Sequence, residues 1–144
     1  MNTESLTLRD MFKFEKLDVR QKAIDLADLV YSKTKSFPAD ERFGLTNQMR
    51  RAAVSISSNI AEGSARISDA DFARFVEIAT GSLFEIVSES TVAKRQGYLS
   101  EDSFAAIYKT AEEQGRMLSG LRRTLVGNSS TGIIEAVKRR AAIG

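Results

Sequence analysis

The chain contains no cysteine, no histidine and no tryptophan, and a single proline among its 144 residues. Without cysteine and histidine there is no Ser-His-Asp triad, no thiolate nucleophile and no Cys/His zinc site. A histidine-containing di-iron bundle is excluded on the same ground. Absence of disulfides fits a reducing compartment, and the expected localisation is cytoplasmic. Long apolar runs are also missing. The opening stretch MNTESLTLRDMFKFEK lacks the apolar centre of a signal peptide, and no segment approaches the ~20 residues of a membrane span, so no membrane association is expected. One proline and nine glycines argue against disorder and against a loop-rich β fold.

What is present suits one helical domain. Apolar residues make up 42% of the chain, enough for an ordinary core. The formal charge is only +2, but it is unevenly spread. Residues 67–113 carry 4 basic and 9 acidic groups, whereas 114–144 carry 6 basic and 1 acidic. Basic clusters such as Arg122-Arg123 and Lys138-Arg139-Arg140 can attract polyanions, and the more ordinary reading of them is a solvated face plus a tail.

Apolar periodicity predicts four helices. The first is expected from Asp18 as N-cap, with Gln21 completing a capping box, to about Lys35, where Phe37-Pro38 disfavours continuation. Val19, Ala23, Leu26, Ala27, Val30 and Thr34 form its inner face. The second is expected over about 43–62, with Leu45, Met49, Ala52, Ala53, Ile56 and Ile60 inward and Gly63 as C-cap. The third begins after Ser68, with Asp71 closing Ser-x-x-Asp, and ends at Gly97. The fourth begins after Ser100 and ends at Gly127; Phe104, Ile107, Tyr108, Ala111, Leu118, Leu121 and Leu125 are expected to face inward. A short further helix is expected over 133–141. Short connections favour an antiparallel up-down four-helix bundle. The organisation is then an N-terminal extension over 1–13, a bundle domain over 14–127 and a basic tail over 128–144.

The second helix is unusual in its small residues. The stretch RRAAVSISSNIAEG, Arg50 to Gly63, places Ala, Ser and Asn where a soluble helix ordinarily carries Leu, Lys and Glu. Small residues on both sides of a helix let backbones approach on both sides. Asn59 is expected to be a structural amide tying a loop or a neighbouring helix, and Glu62 to pair with a nearby arginine or to cap a helix N-terminus. On the third helix, Ile78, Gly81, Phe84 and Val92 fall away from the core stripe. Several apolar residues there suggest a second packed surface, and with it self-association. Glu85 and Glu89 share a helix face at i, i+4, but opposite the core stripe, where solvated glutamates are ordinary. No enzyme, metal or cofactor is expected.

The segment from Phe14 to Arg66 resembles the opening half of the 23S ribosomal RNA intervening-sequence proteins. Phe14, Leu17, Val19 and Ala23 match its first motif, and Phe37, Pro38, Glu41, Phe43, Gly44 and Leu45 its second. Gln48, Arg50, Arg51, Ala52, Ala53, Ser55, Ile56, Asn59, Ile60, Ala61, Glu62 and Gly63 match the third. FARFVEIATGSLFEI, from Phe72 to Ile86, matches the fourth. Arg20 stands where the family usually has Trp, and Ser57 where it usually has Pro. The resemblance implies an up-down four-helix bundle, often a homopentameric ring, and no enzyme. The function expected is that of an oligomeric scaffold binding RNA or a ribonucleoprotein through Arg50, Arg51, Arg122, Arg123, Lys138, Arg139 and Arg140. The alternative is a protein–protein adaptor ring with no nucleic-acid role.

Overall fold

The computed structural model describes residues 17–127. The N-terminal extension, the basic tail with its expected short helix, and Lys138, Arg139 and Arg140 lie outside these residues. The described chain is all-helical, with four helices and a single 3-10 turn and no strand. The helices are α1 (Asp18–Thr34), α2 (Leu45–Ser64), α3 (Asp69–Arg95) and α4 (Glu101–Val126), and the turn spans Ala39–Glu41. Each helix packs on its neighbours in sequence, and α4 closes the circuit on α1.

The helix boundaries follow local chemistry. Ser68 caps α3 by accepting a hydrogen bond from the Asp71 backbone N–H at 3.1 Å, and Ser100 caps α4 through the Ser103 N–H at 3.1 Å. Asp69 and Asp71, and Glu101 and Asp102, set negative charge in the first turns, where the helix dipole favours it. Gly97, with φ of 81°, terminates α3 in the left-handed region that glycine enters at no steric cost. Gly127 supplies the positive φ after α4.

Three boundaries differ from the sequence expectation. Leu17, not Asp18, holds the N-cap position of α1, and no side chain caps it; Asp18 is the first helical residue. Helix α2 begins at Leu45, because Gly44, with ψ of −114°, sits outside helical geometry. Its cap comes from the 3-10 turn, where Glu41 Oε2 accepts from the Leu45 N–H at 3.3 Å. Gly63 is no C-cap: the helix runs through it to Ser64, and Gly63 is buried inside a helix contact. What holds it is side-chain volume, not backbone conformation. A Cβ there would lie 2.7 Å from Phe72 Cδ1 and 2.8 Å from Phe75 Cβ.

The core is aliphatic. Val19, Ala23, Leu26, Ala27, Val30 and Thr34 all bury their side chains from α1, as the 3.6-residue period requires. Leu26, Met49, Ile56, Ile60, Val76, Ile86, Ile107 and Leu118 are inaccessible to solvent. At ~1.5–3 kcal/mol for each large aliphatic side chain buried, this cluster is the main stabilising term. Tyr108 departs from expectation: it is 44% exposed and looks outward between α3 and α4.

Polar ties join the helices pairwise. Gln114 is fully buried and donates from Nε2 to the Val19 carbonyl at 3.1 Å, fastening α4 to the start of α1. Lys22 and Glu113 pair at 2.8 Å across the same two helices. The hydrogen bond from Lys22 holds the Glu113 carboxyl below its ordinary pKa, and the same bond raises that of Lys22. At one end of the bundle, Phe37 from the α1–α2 connection meets Tyr98 from the α3–α4 connection, ring centroids 5.7 Å apart.

Candidate functional surfaces

Two arginine doublets stand out in the sequence, and the structure divides each of them. Arg50 is half-buried and reaches across to the last turn of α1. Its Nε donates to Thr34 Oγ1 at 2.9 Å and its Nη2 to the Tyr31 carbonyl at 3.4 Å, and its guanidinium lies 4.7 Å from the Tyr31 ring centre. Thr34 is itself anchored, donating to the Val30 carbonyl at 2.8 Å. Arg51, one residue on and about 100° around the helix, is exposed. The second doublet repeats this division. Arg122 pairs with Glu77 of α3 at 2.7 Å, while Arg123 is exposed. In each doublet, then, one guanidinium ties two helices and the other faces water. The doublets do not form one patch. Arg50 and Arg51 lie near the start of α2, whereas Arg122 reaches Glu77 near the start of α3, the helix that follows the far end of α2.

The small-residue face of α2 forms its contact with α3. Ser55 Oγ and Ser82 Oγ share a hydrogen bond of 2.9 Å between the two helices. Asn59 does not reach a loop or a neighbouring helix, as the sequence led us to expect. Its Nδ2 donates one turn back, to the Ser55 carbonyl at 2.8 Å and to Ser55 Oγ at 3.0 Å. Its tie to α3 therefore runs through the Ser55 hydroxyl. Glu62 does pair with an arginine, Arg66, at 2.8 Å, and Arg66 stacks over Phe75 of α3 at 4.8 Å. Gly63 completes the seam against Phe72 and Phe75.

On α3, Ile78, Phe84 and Val92 are 52%, 68% and 47% exposed, and Gly81 has open space around it. Glu89 is a feature that periodicity could not reveal. It is not the solvated glutamate expected there. Oε2 is buried with no hydrogen-bond partner among the described residues, and the residue is half-buried. Burial, and secondarily the charge of Glu85 one turn away, pushes its carboxyl up to about 7. It lies seven residues from Ser82, on the side of α3 that faces α2. The spacing from Ser82 carries this signal in the sequence, whereas the i, i+4 pairing with Glu85 points to the wet side.

A cleft of about 420 Å³ opens between α3 and α4, walled by Leu83, Phe84, Val87 and Ala111, with Tyr108 and Gly115 on the α4 side. Ser88 and Glu112 stand at its rim. Ion pairs between α3 and α4 bracket it, Glu77–Arg122 toward one end and Lys94–Glu101, at 3.2 Å, toward the other. Among the described residues no three His, Cys, Asp or Glu side chains come together in a way that could hold a metal ion, and no helix is long and apolar enough to cross a membrane.

Four helices packed in a closed circuit around an aliphatic core, with tied inner arginines and exposed outer ones, define a helical-bundle domain. Residues 15–120 match the 23S rRNA-intervening sequence protein family, and the chain belongs to that family. A crystal structure of a protein of unknown function from the S23 ribosomal protein family of Bacteroides thetaiotaomicron has the same fold. It is similar with a TM-score of 0.66 at 23% identity, over 72% of this chain and 94% of that one. No curated protein matches the chain.

Proposed function

We propose that this protein is a non-catalytic, self-associating scaffold: antiparallel up-down bundles joined as a ring, most simply a pentamer, that works in the cytoplasm and engages RNA or a ribonucleoprotein. The observation that carries the self-association is the exposure of Ile78, Phe84 and Val92 along one helix. Several large apolar side chains left exposed on one long helix support a second packed surface. The antiparallel arrangement is supported by contacts that run in opposite senses along α2 and α3, Ser55 with Ser82 and Gly63 with Phe75. The resemblance of the four motifs supports the pentamer.

The RNA reading rests on Arg51 and Arg123, exposed and without an ion pair among the described residues, on the basic tail with Lys138, Arg139 and Arg140, and on the ribosomal RNA in the family's description. The remaining candidates, Arg50 and Arg122, are engaged within the bundle and would contribute only by exchanging partners. One chain offers separated basic points, so a ring that repeats them would bind by avidity. Contacts to phosphate would make binding salt-dependent and insensitive to sequence. A second reading, an adaptor ring for another protein, is favoured by the apolar cleft between α3 and α4.

Light scattering combined with fluorescence anisotropy tests both parts. The expected result is a homo-oligomer that binds unrelated RNA oligomers alike at low salt, with affinity falling as salt rises. Changing Arg51 and Arg123 to Ala should flatten the dependence of log affinity on log salt by about 0.7 per lost contact. A 15.9 kDa monomer at micromolar concentration would remove the ring. An oligomer that binds no RNA at low salt would leave the adaptor.

A further inference from the structure

We infer that two copies of this chain meet through the outer edge of α2 on one and the outer edge of α3 on the next, with Arg51 opposite Glu85 and Ser58 opposite Ile78. Resting on the self-association proposed above, the contact is independent of RNA binding.

Both edges follow helical spacing. On α2, Arg51, Val54, Ser58 and Glu62 succeed one another at steps of three or four residues, and all four are exposed. On α3, Arg74, Ile78, Gly81 and Glu85 do the same and are also exposed. Each row begins with a cation and ends with an anion. In the antiparallel bundle, α2 of one copy therefore runs against α3 of another copy that points the same way, and each cation comes to an anion. Between the charges, an apolar side chain meets a small residue, Val54 with Gly81 and Ile78 with Ser58. A Cβ on Gly81 would touch nothing, so its surroundings have room for a side chain from outside. Arg51, Arg74 and Glu85 make no ion pair with a described residue. Glu62 holds Arg66, and a carboxylate has lone pairs for a second guanidinium. Arg51 has five donors, so pairing with Glu85 leaves others for phosphate.

The register agrees with a ring. Ser55 and Ser82 share a hydrogen bond and so stand level, as Gly63 does with Phe72 and Phe75. Both helices rise by about 1.5 Å per residue. Counted from these ties, Arg51 is level with Glu85, Ser58 with Ile78 and Glu62 with Arg74, each to within about one residue. Val54 falls between Gly81 and Glu85. Copies related by rotation alone do not climb from one to the next. With the bundle axes along the ring axis, residues that are level within one chain are thus level across each contact. The rows also occupy neighbouring corners of the helix circuit, so the two contacts of one copy face different directions and successive copies turn, as closure requires. Two-fold contacts of each row with itself would not require the two rows to stand level.

The absence of native cysteine lets single cysteines report the contact in the full chain. Ser58→Cys and Ile78→Cys chains are produced separately and also co-expressed, and all three samples are treated with oxidised glutathione. The co-expressed sample should form a covalent dimer about ten-fold or more faster than either variant alone, as a local effective concentration requires. Arg51→Glu or Glu85→Arg should raise the concentration needed for assembly by about ten-fold or more, because like charges then face each other. The two changes together should restore assembly, with helicity by circular dichroism unchanged throughout. A variant that links to itself as fast as the co-expressed pair would overturn the proposal in favour of a two-fold contact. An oligomer that links in no combination, or that the paired charge reversal does not restore, would overturn the contact and leave the ring. A monomeric parent would remove the ring and this contact together.

Discussion

Helix α3 meets α2 on one side and α4 on the other, and the two contacts are built from different materials. Toward α2 the seam is made of small residues: Gly63 against Phe72 and Phe75, and the Ser55–Ser82 hydroxyl pair. Toward α4 the seam is held by ion pairs near its ends and parts between them into the cleft that Phe84 and Tyr108 overlook. Glycine occurs in both seams but with opposite meaning. A Cβ on Gly63 would be driven into two phenylalanines, whereas one on Gly115 would stand 3.4 Å from Leu83 Cδ2, an ordinary contact. Closeness is therefore set by side-chain size on α2, and the opening beside α4 is the consequence of not applying the same device there. A bundle built this way has one seam that must not change and one that is available for binding.

The sharpest break in this comparison should come from bulk in the tight seam. Gly63→Leu places a whole side chain where even one carbon does not fit, and should destabilise by about 3 kcal/mol or more, at or above the usual range for an overpacked core. Chemical denaturation measures it. A loss under about 1 kcal/mol would mean that α2 and α3 separate readily, and that the small residues are not there for closeness.

A charge enclosed in the same seam should report through pH. Glu89 titrates near 7, above its ordinary 4.5, so between those values the folded state holds a proton that the unfolded state has released. Its contribution is fully present below about 4.5 and is lost as pH rises through 7. Glu89→Gln removes that loss. The variant should match the parent at pH 4 and exceed it at pH 8 by about 1 kcal/mol, after allowance for the solvent that reaches this half-buried group. Thermal unfolding at the two pH values checks the sign; a variant less stable at pH 8 would show that the ionised carboxylate has a partner.

A smaller effect is expected from the hydroxyl pair. Ser82→Ala removes the bond to Ser55 but leaves Ser55 Oγ accepting from Asn59 Nδ2. The cost should be about 0.5–1.5 kcal/mol, the net value of one hydrogen bond. Asn59→Ala in the same background then measures whether the three groups act together: coupling in the double-mutant cycle supports a network, and simple additivity opposes it.

The frame of the molecule was legible in the sequence because its signals are local and periodic. Ser68 and Ser100 cap where a hydroxyl precedes a helix by the right spacing, Gly97 ends α3 by its backbone freedom, and every predicted inward residue of α1 is buried. The errors share a cause, which is that a residue type has more than one use. Gly63 followed by Ser64 reads as a helix end, yet glycine here serves contact rather than conformation. Asn59 borders the core by its helical position, which predicts a long-range tie, and its amide instead turns back on Ser55. Tyr108 fits the inward stripe by period alone, but sits at the edge facing the cleft. The arginine doublets were visible; that one member of each is consumed by a neighbouring helix depends on Thr34 and Glu77, which are 16 and 45 residues away in sequence.

The most direct test of the two-seam account is one substitution made twice. Gly63→Ala and Gly115→Ala each add a single methyl group to a helical glycine that faces α3, and each gains the same ~0.8–1.0 kcal/mol of helix propensity. Thermal unfolding of the two variants in the same buffer isolates the seam. The account predicts that Gly115→Ala melts at or above the parent's temperature while Gly63→Ala melts below it, because Phe75 Cβ, 2.8 Å from the new carbon, cannot move without its backbone. Equal shifts of the same sign, or a Gly63→Ala variant that melts above the parent, would contradict it.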